Sequence, residues 1–470
     1  MLDHLDAQQR LSRNQWKLIT AATFGLVLEF LDYFLIGFVL TFVSTPWHLS
    51  VWTSSVILLS SGVGAIAGSF LFGRLADRIG RRPVFLVTIA MFTAGTGALV
   101  FTPDSPVAGP IYLVVFRLLI GLGAGGLYCV DLPMVQEFVP TRLRGRISGM
   151  VTAAVPIGFL VGSVLVTLAA PVTGWRGLFV ICVVLSLLTL VFRTWIPESP
   201  RWLLRQGRVH DARDSLAWAM DVPADALPLE STVRIEKVAF RELFRYRRSL
   251  LLSWLTNLGG QTGYYGLALW APVLIVAILR VSPGDAAHYM MFVALGALVG
   301  RLVVAYLSER IGRRRTGIIA SFGAAAAIVL TGYTGDAMLG TIPLLIALLI
   351  QANLLCDGAF AVVGPYSAEV WPAALRSTGM GSAYGFGGLG KIIGPLGMAF
   401  IVNSSNLFGP RPDPAALEPA FLYFAFWYVL AGVAFVVLGI ETRNRTIEHI
   451  DAELVKQTAR DSPLLKGNLR

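Results

Sequence analysis

Long apolar runs separated by short polar segments are the dominant pattern of this chain of 470 residues. Each run holds about 20 residues, which is the length that an α-helix needs to cross the hydrocarbon core of a bilayer. The pattern predicts helices at 18–42, 53–76, 84–102, 110–135, 148–171, 175–196, 248–279, 287–308, 315–333, 341–366, 377–403 and 419–440. The predicted fold class is therefore an all-α integral membrane protein with twelve transmembrane helices.

The longest polar segment separates the first six predicted spans from the last six. Short amphipathic helices are expected within it at 211–220 and 239–246. We predict a cytoplasmic N-terminus, an N-terminal six-helix half, a cytoplasmic linker, a C-terminal six-helix half and a cytoplasmic tail, at 1–17, 18–196, 197–247, 248–441 and 442–470.

Basic residues set the expected orientation in the membrane. The net charge is +10, and arginine and lysine concentrate in short loops and near both ends, which places those segments and both termini on the cytoplasmic side. Membrane lipids, and no nucleic acid, are the expected partners of these charges. A content of 55% hydrophobic and 14% charged residues excludes a soluble globular protein. The N-terminal segment has no cleavable signal pattern, so the first span is expected to direct insertion.

A charged segment that follows the second span occurs twice. Residues 73–82 recur in weaker form at 305–314, so adding 232 to a number in the first copy gives its counterpart in the second. The same offset joins further pairs, namely Glu137 with Glu369, Pro140 with Pro372, Leu143 with Leu375 and Arg144 with Arg376. The chain is therefore one six-span unit written twice.

The segment 73–82 resembles the signature loop of the major facilitator superfamily of transporters. Residues 197–202, Pro-Glu-Ser-Pro-Arg-Trp, resemble the sugar-porter branch of that superfamily and its metabolite:proton relatives. The resemblance implies two pseudo-symmetric halves, a substrate site near the midplane where they meet, and alternating access. It also implies that ion pairs at cytoplasmic helix ends gate the inner side. The candidate gating residues are Asp77, Arg81, Arg82, Glu137, Arg144, Glu309, Arg313, Arg314, Glu369 and Arg376.

Acidic side chains inside the predicted spans are candidates for proton coupling, because a charge at the bilayer centre is costly without a function or a partner. Glu29 and Asp32 share one face of the first span, and two adjacent carboxylates cannot both ionise cheaply there. At least one of them is expected to bind a proton. The alternative is a structural pair with an arginine such as Arg117. Asp131 in span four and Asp357 in span ten are the other candidates.

Candidates for substrate contact lie in spans four, seven and eleven. Two roles are open for Lys391, which is deep in an apolar run: holding an anionic substrate, and pairing with Asp357. Span eleven resembles the aromatic-acid:proton branch, which usually carries arginine at this position. The other substrate-binding candidates combine hydrogen-bonding groups with aromatic faces, and they are Asn257, Gln261, Tyr264, Tyr265 and Arg117.

These features predict a secondary active transporter of the cell inner membrane that carries a small organic acid together with protons by alternating access. A sugar or polyol:proton symporter is one alternative, and a membrane nutrient sensor that does not transport is another. An enzyme is not predicted, because the sequence shows no nucleotide-binding loop, nucleophile motif or metal-spaced cluster. No cofactor or metal is expected, and the expected assembly is a monomer.

Overall fold

The computed structural model describes residues 2–229, 240–334, 337–372, 375–402 and 418–442. The helices are α1 (Leu2–Ala7), α2 (Arg13–Val43), α3 (Val51–Ile79), α4 (Arg81–Leu99), α5 (Ala108–Phe138), α6 (Arg144–Thr152), α7 (Ala154–Thr194), α8 (Pro200–Arg205), α9 (Val209–Met220), α10 (Arg247–Leu279), α11 (Pro283–Ile311), α12 (Arg313–Gly332), α13 (Leu344–Glu369), α14 (Arg376–Gly387), α15 (Gly390–Ile401) and α16 (Glu418–Leu438). Short 3₁₀ helices lie at Thr141–Leu143, Ala224–Ala226 and Phe240–Arg245. Strands β1 (Met338–Leu339) and β2 (Ile342–Pro343) form an antiparallel hairpin before α13.

Ten helices in the described part of the chain are long and apolar enough to cross a membrane. One of them, Arg146–Thr194, consists of most of α6 and all of α7. It contains most of the fifth and sixth predicted spans, which Gly174 divides because its φ of 66° is not helical. The eleventh predicted span is present as two shorter helices, α14 and α15, which meet at a break beside Gly388. Glycine destabilises a helix interior, and four glycines lie at 385–390 around this break. The prediction of an all-α membrane protein is confirmed.

The chain divides into two compact units. The described residues of the first unit are 2–229 and Leu269–Ala294, and those of the second lie within 240–268, 295–402 and 418–442. In the first unit, α3 packs on α5, α2 on α7, and α4 on both α5 and α7. In the second, α12 packs on α13 and α16. The boundaries of the two predicted halves, 18–196 and 248–441, stay a prediction.

The internal repeat extends to individual backbone contacts. Gly68 of α3 packs against the backbone carbonyl of Leu122 in α5, and no side chain has room there. Gly300 of α11 packs in the same way against the carbonyl of Leu354 in α13. Both pairs are related by the offset of 232. Small residues at such crossings let transmembrane helices approach closely, so each unit has the same tightly packed helix pair.

The segment before the first span packs against the linker. Leu5 of α1 is buried against Leu216, Ala217 and Leu227, which lie in and just after the linker helix α9. This helix and the 3₁₀ helix at Phe240–Arg245 lie where the pattern predicts short amphipathic helices. The N-terminal residues and α9 thus form a small apolar cluster outside the membrane-spanning helices.

Asp6 in α1 fixes the turn between α5 and α6. Its carboxylate accepts hydrogen bonds of 2.8 Å from both the backbone N–H and the hydroxyl of Thr141. Burial raises the pKa of Asp6, but these hydrogen bonds and the positive charges of Arg144 and Arg201 together hold the pKa below its usual value. Asp6 is therefore ionised near neutral pH and anchors α1 to this turn.

Candidate functional site

An ion pair between α2 and α5 lies in the interior of the first unit. Asp32 and Arg117 are 1% and 0% exposed, and Asp32 Oδ2 lies 3.5 Å from Arg117 Nη1. Arg117 also donates to the backbone carbonyls of Asp32 and Tyr33 over 3.4 and 3.5 Å, and the Thr96 hydroxyl donates to Asp32 Oδ1 over 3.4 Å. Strong charge-assisted hydrogen bonds are about 2.7–2.9 Å long, so this pair is loosely held. Glu29 is also buried, on the same face of α2.

Two further buried ion pairs are tight. Asp131 of α5 lies 2.7 and 2.9 Å from the two Nη atoms of Arg193 in α7. Asp357 of α13 accepts two hydrogen bonds from Arg301 of α11, from Nε over 2.7 Å and from Nη2 over 2.8 Å. Such short contacts favour the ionised carboxylate in both pairs. Of the three buried acids that have arginine partners here, Asp32 is the one whose partner holds its carboxylate least firmly.

These ion pairs do not follow the internal repeat. By the offset of 232, the counterparts of Asp32 and Arg117 are Tyr264 and Leu349. The remaining four charged residues also have uncharged counterparts: Asp131 maps onto Val363, Arg193 onto Ala425, Asp357 onto Gly125, and Arg301 onto Ser69. The shared scaffold therefore does not require these charges.

The interior of the second unit contains Lys391 and the polar residues of α10. Lys391, which is 8% exposed, has its ammonium 5.1 Å from the centre of the Tyr265 ring. Asp357 has Arg301 as its partner, so the possible pairing of Lys391 with Asp357 is not what the structure shows. The signal for this pair in the sequence was Arg301, an arginine inside the predicted eighth span, which sequence reasoning did not identify.

The amide of Gln261 is the most conspicuous polar group on α10. It is fully buried next to Gly387, and neither its oxygen nor its nitrogen has a hydrogen-bond partner among the described residues. The neighbouring Asn257 amide, in contrast, donates to Ser253 and Ser367 over 2.8 and 2.7 Å. A buried amide without partners costs on the order of 1–3 kcal/mol, so Gln261 is the better candidate for binding a ligand.

A charge cluster in the first unit joins α4, α5 and the segment after α7. Arg81 pairs with Glu137 over 3.0 Å, and the Ser199 hydroxyl also donates to Glu137. Glu198 accepts hydrogen bonds of 3.0 Å from the backbone N–H groups of Arg81 and Arg82 at the start of α4. A carboxylate at a helix N-terminus accepts hydrogen bonds from the free backbone N–H groups and interacts favourably with the positive end of the helix dipole.

The second unit repeats this arrangement at the start of α12. Arg313 pairs with Glu369 over 3.3 Å and with Glu309 over 2.7 Å. Thr442 donates its hydroxyl to Glu369 over 2.5 Å, and Glu441 accepts a hydrogen bond of 2.9 Å from the Arg313 N–H. Each cluster therefore contains an arginine, together with a glutamate that lies on the fourth membrane-spanning helix of its half, α5 or α13. It also contains a Glu-Ser or Glu-Thr dipeptide after the sixth membrane-spanning helix.

Sequence reasoning did not identify Glu198 and Glu441 as members of these clusters. Glu198-Ser199 and Glu441-Thr442 are 243 positions apart, so the offset of 232 does not relate them. The available signal was a Glu followed by a hydroxyl residue directly after the last span of each half.

The remaining gating candidates also lie near helix ends. No Lys, Arg or His of the described chain lies within 4.0 Å of the Asp77 carboxylate, whose backbone carbonyl accepts a hydrogen bond of 3.1 Å from the Trp202 indole. Arg144 donates to the Gln136 carbonyl over 2.7 Å, and Arg376 begins α14. Arg82 and Arg314 donate to backbone carbonyls at the ends of α7 and α16. Their roles as gates stay a prediction.

The turn before each cluster requires glycine. Gly80 and Gly312, which the repeat relates, have φ values of 107° and 103°. Residues other than glycine rarely adopt such positive φ values. A Cβ at Gly80 would also collide with the Glu198 carboxylate. We expect Gly80→Ala to lower the free energy of unfolding by more than about 1 kcal/mol. Thermal unfolding of the purified protein in detergent measures this change.

Gly73→Ala is the matched control, because a Cβ at Gly73 in α3 has no neighbour within 4 Å. This helical substitution is expected to raise stability by about 0.5–1 kcal/mol. Equal melting temperatures for Gly80→Ala and the unaltered protein would contradict the proposed importance of the turn.

Comparison with known proteins places this arrangement in a family. The family described as "Sugar (and other) transporter" matches residues 18–454. Solved structures with the major facilitator fold are similar throughout: the xylose transporter of E. coli, in a partially occluded inward-open form, has a TM-score of 0.70 at 18% identity and covers 93% of this chain and 100% of its own. The chain belongs to the sugar (and other) transporter family.

The protein is therefore a multi-pass membrane transporter for small molecules and not an enzyme. It is 29% identical over 441 residues to a niacin transporter of Acinetobacter baylyi, with 93% of this chain and 96% of the relative covered. It is 28% identical over 454 residues to a 4-hydroxybenzoate transporter of Pseudomonas putida, with 95% and 96% covered. Among the described residues, no group of three or more His, Cys, Asp or Glu could hold a metal ion.

Proposed function

We propose that this protein is a proton-coupled symporter of a small organic acid in the cell inner membrane. The observation that carries the substrate class is the placement of Lys391, a buried cation beside the aromatic face of Tyr265 in the same unit as the unpartnered Gln261 amide. A carboxylate can pair with the ammonium, an aromatic ring can stack on the tyrosine, and the amide can bind a polar substituent. Relatives named as transporters of niacin, cis,cis-muconate and 4-hydroxybenzoate support this class, since all three are carboxylic acids.

Proton coupling is proposed to occur at Asp32. Its loose contact with Arg117 allows the carboxylate to alternate between a protonated form and an ion pair, whereas the short contacts of Asp131 and Asp357 hold those acids ionised. Glu29 on the same helix face is the neighbouring proton acceptor. The two charge clusters at the starts of α4 and α12 are proposed to lie on the cytoplasmic side with both termini, to stabilise the outward-facing state and to open for release. The protein is proposed to act as a monomer.

A sugar or polyol symporter is the second candidate function. The family description and the xylose transporter structures favour it, and the Gln261 amide can bind hydroxyl groups as well as a carboxylate. A neutral substrate, however, leaves the buried ammonium of Lys391 without a role in binding. The two candidates thus differ in what Lys391 does.

Uptake into proteoliposomes under an inward proton gradient tests the proposal. The panel contains labelled niacin, 4-hydroxybenzoate, xylose and the amide nicotinamide, which matches niacin in shape but lacks the charge. We expect accumulation of one or both acids and a loss of at least about tenfold in Lys391→Ala, because a charge-assisted hydrogen bond contributes about 1.5–3 kcal/mol.

Lys391→Arg is the matched control and is expected to keep acid uptake, since it preserves the positive charge. Accumulation of xylose that ignores Lys391→Ala, without accumulation of either acid, would favour the sugar symporter instead.

A further inference from the structure

Arg193 occupies an unusual place for an arginine at the end of a transmembrane helix. It lies in the last turn of α7, where a long basic side chain ordinarily extends to the water interface. Instead it is 2% exposed, stacks over the Phe85 ring at 3.9 Å and pairs with Asp131. Its Nε–H is buried and has no hydrogen-bond partner among the described residues. The charged guanidinium of Arg193 is therefore buried, although it lies close to the end of its helix.

This pair faces the first transmembrane helix at a glycine. A Cβ on Gly25 of α2 would lie 3.4 Å from Arg193 Nη2 and 3.5 Å from Asp131 Oδ2, which is van der Waals contact, so both side chains lie beside the α2 backbone at this glycine. Arg193 Nη2 also donates to the Ala21 carbonyl over 3.2 Å, one turn earlier. The Asp131–Arg193 pair therefore lies directly against α2.

The same face of α2 carries the two acids of the proposed proton site. Glu29 is four residues after Gly25 and Asp32 three residues further, which is the spacing of one helix face. Side chains on a helix lean toward its N-terminus, so the Glu29 side chain is expected to extend toward the turn that contains Gly25. The order along this face, Asp32, then Glu29, then Gly25 with Asp131 beside it, defines a file of carboxylates directed toward the N-terminal end of α2.

We infer that this file is the route by which the proton leaves Asp32 for the cytoplasm, with Asp131 as the acceptor after Glu29 and Arg193 as its positioning residue. The inference rests on the proposed function, namely proton coupling at Asp32. In each step the O–H bond of the donor carboxyl breaks as one forms on the acceptor, and no electron is transferred. Asp131 is protonated only transiently in this route, because the Arg193 guanidinium favours its ionised form. The proton therefore passes from Asp131 to water on the cytoplasmic side.

The internal repeat shows that the shared scaffold does not require this pair. The counterparts of Asp131 and Arg193 are Val363 and Ala425, which cannot exchange protons. The counterparts of Glu29 and Asp32 are Gln261 and Tyr264. The carboxylate file is thus confined to the first half, as expected if that half carries protons and the second half binds substrate.

Two assays on reconstituted full-length protein test the route. Exchange of labelled niacin against internal niacin at equal pH needs no net proton release, whereas gradient-driven uptake and niacin-triggered proton influx, read by a trapped pH dye, require it. We expect Asp131→Asn to reduce net uptake and proton influx by at least about tenfold, while exchange falls by less than about threefold.

A purely structural pair gives a different result. Loss of exchange in parallel with proton influx in Asp131→Asn, with recovery of both in Asp131→Asn/Arg193→Gln, would make the pair a structural contact and overturn the route. Unaltered proton influx in Asp131→Asn would overturn it as well. Persistent loss of proton influx in the double variant, with exchange intact, supports it. Niacin-driven exchange without any proton influx in the unaltered protein refutes proton coupling itself, which separates that failure from failure of the route.

Discussion

Asp32→Asn is expected to abolish accumulation of the substrate against its gradient, reducing proton-driven uptake by about 100-fold or more. An amide has nearly the shape of the carboxylate but neither binds the transported proton nor carries the charge that Arg117 requires. The contacts of Arg117 with the backbone carbonyls of Asp32 and Tyr33 remain possible, so the local structure has a means to persist. Labelled uptake into proteoliposomes, with and without a proton gradient, measures the effect.

Thr96→Val provides the matched control for Asp32→Asn. It removes the long hydrogen bond of 3.4 Å to the same carboxylate without changing any charge, and it is expected to change uptake by less than about threefold. Substrate that merely equilibrates in the unaltered protein, and does so equally in Asp32→Asn, would identify a uniporter and make Glu29 and Asp32 structural.

Of the single substitutions described, Arg301→Ser is expected to lower the free energy of unfolding most. It leaves Asp357, which is fully buried, without the guanidinium that donates two short hydrogen bonds to it. Removing one partner of a buried ion pair typically costs about 3–5 kcal/mol. The expected result is a clear fall in melting temperature and in the yield of monodisperse protein from detergent.

The repeat supplies the matched rescue for this variant. In the first half the counterparts of Arg301 and Asp357 are Ser69 and Gly125. The double variant Arg301→Ser/Asp357→Gly therefore has the same uncharged residue pair as the corresponding positions of the first half. We expect the double variant to recover most of the stability that Arg301→Ser loses. A double variant as unstable as the single one would show that the pair contributes more than mutual charge compensation.

The sequence pattern predicts the membrane fold well because hydrophobic length is a local property. The repeat of 232 residues identifies Gly80 with Gly312 and the pair Arg81–Glu137 with Arg313–Glu369, and the structure places these residues in equivalent contacts. Residues that one constant offset matches, and that lie at helix ends, can be recognised as equivalent from the sequence alone, without knowledge of the tertiary packing.

The partners of the buried acids are less accessible to such reasoning. Arg193 and Arg301 stand in apolar runs, and only packing decides which acid each of them meets. The contact of Gly387 in α14 with Gln261 in α10 likewise follows from packing and not from the local sequence. The role of a residue whose partner lies on another helix can therefore be assigned only from the structure.

The glutamate caps have a consequence for biosynthesis. The N-terminus of α4 is completed by Glu198, which follows Arg81 by 117 residues, and that of α12 by Glu441, which follows Arg313 by 128 residues. A ribosome delivers the turn at Gly80 long before its cap, so this turn stays incomplete until the sixth membrane helix of the same half has been made. In each half, the cap of the third membrane helix therefore depends on a residue that is synthesised only after the sixth membrane helix.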